Sequence, residues 1–196
     1  MRCGLTIAIF AAVLALTDLG GGKFGDDEII ATNEKASALS WYQSKSIKET
    51  QIEGQRDMLR ALLDGNAVVG AVRPAVEARV RALETEAGRY GREKKEILLG
   101  SSAVGESGWA QSVEGKLGQI IGAKQWEKRI EALSRAGDQF DYATLFLQIS
   151  LVIGAVSLVL KKPTSRQLFF RTMIGLGLLG GAFSAYAFLI AITGTT

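Results

Sequence analysis

Few side chains in this sequence are of a type and spacing that could do chemistry. The 196-residue chain has no histidine and one cysteine. That removes the imidazole general base, the Ser-His-Asp and Cys-His nucleophile pairs, and His-ligated metals. An internal disulfide and Cys-based zinc clusters are excluded as well. Ser101 and Ser102 stand together, but no neighbouring motif activates either as a nucleophile. Asp26, Asp27 and Glu28 could attract a divalent cation, yet they lack the spacing and glycine of a calcium loop. Gly115, Gly118 and Gly122 are not followed by the Gly-Lys-Ser/Thr of a phosphate-binding loop. No catalytic residue, metal ligand or cofactor site is expected, and the chain reads as a non-enzyme.

Two features suit recognition or packing. Lys45 and Lys48 lie about one turn apart beside Trp41 and Tyr42. Together they suit contact with an anionic head group or a partner, or simply form a solvated helix face. Gln148 is the most polar side chain of a long apolar stretch, and an interhelical hydrogen bond suits it better than a transport path lined by ionisable groups.

The elements that must hold these residues follow from three apolar blocks. Mean hydropathy is +0.17 and only 22% of residues are charged, an unusual balance for a soluble domain. Residues 142–160 and 172–192 carry no charge and match the roughly 20 residues of a spanning helix. Lys161, Lys162, Arg166 and Arg171 lie between them with no acid, which places that turn in the cytoplasm by the positive-inside rule. The amino terminus begins with Arg2 and an apolar run. A secretory signal peptide has the same design, but extension through residues 19–22 gives enough length to span, and the segment reads as an uncleaved anchor over residues 1–22.

The expected architecture is an all-α integral membrane protein with an N-terminal anchor, an extramembrane helical, coiled-coil-like domain over residues 23–141 and a transmembrane hairpin over residues 142–196. Arg2 and the basic turn agree on one topology, with the N-terminus cytoplasmic and residues 23–141 on the periplasmic or outer side of an inner membrane. The basic excess sits at these flanks while the middle is near neutral, so nucleic-acid binding is not expected.

Within the middle, residues 20–25 read as a flexible exit and Asp26, Asp27 and Glu28 as an acidic first helical turn. The turn signal at residues 64–66 ends that helix, with a bend possible at Gly54. Pro74 opens a second helix, in which Val76, Val80, Leu83, Ala87, Tyr90, Lys94 and Ile97 follow a 4,3 seam that needs a partner helix. Residues 100–108 read as a loop and a third helix as starting near Trp109, with Gly115, Gly118 and Gly122 on one bare face. Trp126, Ile130, Leu133, Gly137 and Phe140 then form a stripe running into the second span. In the third span Gly177, Gly181 and Ala185 recur every four residues, and Ser150 and Gly154 of the second could face them.

Two stretches resemble a known family. LSWYQSKSIKE at residues 39–49 and DQFDYATLFLQISLVIGAVSLVLKK at residues 138–162 resemble the bacterial membrane proteins grouped as domain of unknown function 4337. The features that carry the likeness fall on Tyr42, Gln43, Lys45, Ile47 and Lys48, then on Phe140, Asp141, Gln148 and Ile149. Residues 89–96 look like the family's charged middle helix. Leu39 departs from the pattern where a tryptophan is expected, with Trp41 two residues on. The resemblance implies a bacterial inner-membrane protein with three spans and no assigned activity.

The expected function is that of a structural or accessory membrane protein, in contact with membrane lipids, that forms a homo-oligomer or joins a larger membrane complex. The alternative is an oligomeric channel or transport component. The residues expected to pack or form an interface are Gly118, Gly122, Gln148, Ser150, Gly154, Gly177, Gly181 and Ala185.

Overall fold

The computed structural model describes residues 2–195. Met1 and the side chain of Arg2, the charge expected to hold the N-terminus in the cytoplasm, lie outside the described residues. Five helices and one short hairpin follow in order: α1 (Arg2–Asp64), α2 (Arg73–Leu99), α3 (Ser101–Val104), β1 (Ser112–Val113), β2 (Lys116–Leu117), α4 (Ala123–Val159) and α5 (Pro163–Thr195). The fold is all-α as expected, and α1, α4 and α5 are each long and apolar enough to cross a membrane. The chain divides into two compact units, one of residues 1–31 with 128–196, the other of residues 32–127.

The first unit packs parts of α1, α4 and α5 against one another. Phe24, Leu133, Phe140, Ala187 and Ala191 form one buried cluster, and Phe10, Leu147 and Met173 a second. The rings of Phe24, Phe140 and Phe188 meet pairwise at 5.0 to 6.1 Å, two of the three pairs edge to face, the geometry favoured by aromatic quadrupoles. Polar groups inside this unit satisfy one another. Thr17 and Ser184 hydroxyls lie 2.8 Å apart, both buried, and Ser150 Oγ donates to Met173 O at 2.8 Å.

This packing overturns the expected exit at residues 20–25. They lie within α1 without interruption, so Asp26, Asp27 and Glu28 sit mid-helix and not in a first turn. Each glycine lowers helix propensity by about 1 kcal/mol, but at Gly20 an added Cβ would strike the rings of Phe188 and Phe140. The bare backbone is what admits the ring cluster. The helix runs on through Gly54 as well.

The small-residue face is also in a different register from the expected one. Gly177 lies under the Phe10 ring and Gly180 against Leu147 and the Ala143 carbonyl, 3.0 Å from where a Cβ would stand. Ser184, Ala187 and Ala191 continue the buried line. Its 3,4 spacing tracks the helical repeat, whereas strict fours drift off the face. Gly181 accordingly faces open space and Ala185 is exposed. Gly154 does pack closely, against Met173 and Ile7. Gln148 is exposed on α4, so its amide lies on the outside of the first unit.

The second unit is built on an antiparallel pair, α1 from residue 32 onward and α2. Asp64 ends α1 and a turn with Asn66 at φ +52° and Gly70 at φ +69° reverses the chain. Pro74 sits in the first turn of α2, where its missing N–H leaves no bond unmade. The expected seam lands on the packed face: Val80, Leu83, Ala87 and Ile97 are buried, while Val76, Tyr90 and Lys94 are half-buried. Ion pairs flank it. Lys45 Nζ lies 2.7 Å from Glu93 Oε2, and Lys94 with Glu49 and Arg60 with Glu84 close the same interface.

No helix begins near Trp109. Residues 109–122 instead contain the β1–β2 hairpin, with Ser112 opposite Leu117 and Val113 opposite Lys116. Glu114 and Gly115 turn it at φ +50° and +80°, the left-handed pair of a two-residue hairpin loop. Gly118 (φ +78°) leaves room for the Trp109 ring. The 3,4 glycine spacing therefore reflects a series of turns, and Gly118 and Gly122 are not on a helix face. The expected loop at residues 100–108 is itself ordered, with α3 and a 3-10 turn at Glu106–Gly108.

Candidate functional site

The most developed constellation lies in the second unit, where the segment after α2 folds around a buried carboxylate. Glu96 is fully buried. Its Oε1 accepts from Ser101 Oγ at 2.7 Å, and its Oε2 accepts from the backbone N–H groups of Ala110 and Gln111 at 2.8 Å each. Three donors thus converge on one carboxylate, which offsets the cost of taking it out of water.

Ser101 extends the network. Its Oγ accepts the Ile120 N–H at 2.9 Å, its own N–H donates to Ile120 O at 2.9 Å, and its carbonyl accepts from Trp109 Nε1 at 2.9 Å. Ser101 is 2% exposed. The Ser–Glu pair resembles an activated nucleophile in composition only, since no substrate can reach it, and its role is to hold the segment in place.

Gly100 and Gly122 complete the closure. Gly100 adopts φ +91° beside the Gln125 amide, and a Cβ at Gly122 would overlap the backbone of Gly100 and Leu99. Gln125 locks the contact: its Oε1 accepts the Gly122 N–H at 2.9 Å and its Nε2 donates to Ser102 Oγ at 2.7 Å. Gly122 packs closely against the end of α2 at Leu99 and Gly100 and does not lie on a helix face.

This closed segment forms one wall of a cleft of about 270 Å³. Glu34, Ala38 and Trp41 of α1 supply another wall, spaced four and three apart on one helical face. Ile97, Ile120 and Ile121 give it apolar lining, and Ser37, Gln119 and, from α4, Trp126 complete it.

Of the expected contact residues, the structure brings only Trp41 to this cleft. Tyr42 lies under the Lys94 ammonium, 5.6 Å from the ring centre. Lys45 is committed to Glu93 and sits 5.7 Å from the Tyr90 ring, and Lys48 is exposed. The four residues therefore do not form one anion-binding patch. The Glu49 carboxylate holds the Lys94 ammonium above its ordinary pKa, and Lys35 holds Glu127 below the usual carboxylate range.

Glu96, Glu34 and Trp126 as site residues were not anticipated. The one signal for Glu96 was an acid next to the seam residue Ile97 and four residues before the Gly100-Ser101-Ser102 turn. Glu34 carried no signal beyond its helical spacing from Trp41.

The chain belongs to the family described as a domain of unknown function (DUF4337), whose pattern it matches over residues 1–190. No curated protein and no solved structure matches it.

Proposed function

We propose that this protein is a non-enzymatic structural or accessory component of a bacterial inner membrane, anchored by three spans and associating with further copies or with a larger membrane complex. The observation that carries this reading is the exposed Gln148 amide on α4. Leu145, Ile149 and Val152 beside it on α4 are exposed, as are Leu178 and Leu189 on α5 of the same unit. An amide facing hydrocarbon leaves its hydrogen-bonding groups unmet, and a partner helix supplies them. Gly181 and Ala185, unused in packing within the chain, offer a second place for close approach.

The orientation with both the N-terminus and the basic turn in the cytoplasm is supported by the Cys3 sulfur lying 3.2 Å from Ser157 Oγ. That contact brings the start of α1 to the end of the bundle that carries Lys161 and Lys162. Residues 23–141 then face the periplasm.

Native mass spectrometry after gentle extraction tests the association. A homo-oligomer or a defined complex is expected, and Gln148→Leu or Gly181→Leu should shift it toward the monomer, since Gln148 is exposed and a side chain added at Gly181 meets nothing within the chain. A monomer free of co-extracted proteins would overturn the reading. The same amide would line a path between copies in an oligomeric channel, and conductance in reconstituted bilayers that is lost in Gln148→Leu would favour that alternative.

A further inference from the structure

We propose that the cleft of the second unit is a binding site for a quaternary ammonium group. Two indole side chains, Trp41 and Trp126, and one carboxylate, Glu34, line the same space of about 270 Å³. Among the described residues lining it, Glu34 is the sole charged one, so its electrostatic preference is for a cation. Indole faces attract cations through the ring quadrupole, tryptophan most strongly, and do so best for weakly hydrated cations that give up water at little cost.

The volume is just below the ~300 Å³ at which pockets for drug-sized ligands begin, which suits a head group better than a whole metabolite. Ile97 and Ile120 supply methyl-rich walls against which alkyl groups on nitrogen can pack. Ser37 and Gln119 also line the space and could accept from a primary ammonium, but that group holds its water tightly and gains less from the two indoles than a weakly hydrated quaternary one. The site is also preformed, since Ile120 is fixed from both its N–H and its carbonyl by Ser101, and a preformed wall costs no ordering on binding.

The shared chemistry, a trimethylammonium group, occurs both on free solutes and on lipid head groups. The test is a titration of the full-length protein in maltoside micelles with choline chloride, followed by tryptophan fluorescence. Sodium chloride at matched ionic strength and the uncharged isostere 3,3-dimethyl-1-butanol serve as controls. A saturable change with choline and none with the alcohol is expected. Trp41→Leu and Glu34→Gln should each weaken it by about tenfold, the loss of one cation–π or charge contact, and Trp41→Phe should restore part of it.

Glu34 is exposed, so Glu34→Gln leaves packing intact even if Trp41→Leu perturbs it, and circular dichroism distinguishes the two. Abolition of the choline response in phosphocholine-headed detergent points to a lipid source, and its persistence there to a free solute. Equal curves for choline and the alcohol, no saturation, or a wild-type titration in Glu34→Gln would overturn the proposal.

Discussion

At the scale of single residues, the second unit depends most on Glu96. Replacing it by alanine leaves the Ser101 hydroxyl and the N–H groups of Ala110 and Gln111 without their acceptor. Each such buried donor costs about 1–3 kcal/mol, so Glu96→Ala should raise amide exchange throughout residues 109–121 and lower the melting temperature. Protection there equal to wild type would refute the role given to this carboxylate. Lys94 allows a test by pH. Its folded-state pKa lies above the ordinary 10.5 because of Glu49. The pair therefore stabilises the α1–α2 interface fully below that value and fades as pH rises through the raised one. Alkaline unfolding of wild type and Lys94→Met, compared by circular dichroism, should show a stability gap at pH 8 that narrows above about pH 10.5. A gap that widens with pH would contradict the sign.

At the scale of elements, glycines separate into those that the backbone requires and those that merely interrupt a helix. Gly122 is of the first kind, because a Cβ there overlaps Gly100 and Leu99. Gly122→Ala should destabilise by about 1–3 kcal/mol through overpacking. Gly54 is exposed within α1 with nothing near it, and Gly54→Ala should stabilise by up to about 1 kcal/mol. Thermal melts of the two variants check both signs. The same distinction decides what could be read from sequence. Apolar periodicity made the seam at Val80, Leu83, Ala87 and Ile97 legible, along with the stripe through Leu133 and Phe140, because burial there follows the helical repeat, and the Asp64-Gly65-Asn66 turn residues marked the end of α1. Glycine spacing was not a guide. At residues 20–25 ring packing kept α1 helical, and at residues 115–122 positive φ angles made turns. The cleft was invisible because Glu34, Ile97, Ile120 and Trp126 meet only through tertiary contacts, with Trp41 alone flagged by its type.

At the scale of the whole molecule, the proposed three-span topology yields a direct labelling experiment. Cys3 is the single cysteine, so a Cys3→Ser background accepts one reporter thiol at a time. Ala67→Cys, in the exposed turn after α1, should react with a membrane-impermeant maleimide in intact spheroplasts. Ser165→Cys, beside the basic turn, should react only after lysis. The reverse pattern would invert the topology. The carboxylate network around Glu96 also bears on the order of assembly during synthesis. Glu96 and its partners lie within 15 residues of one another in the chain, whereas the Thr17–Ser184 contact joins positions 167 apart. Local contacts form before distant ones, and the chain emerges from its amino end. The second unit can therefore be complete while α5 is still unsynthesised, and the amino-terminal part of α1 stays without its Ser184 contact until the final stretch of the polypeptide arrives.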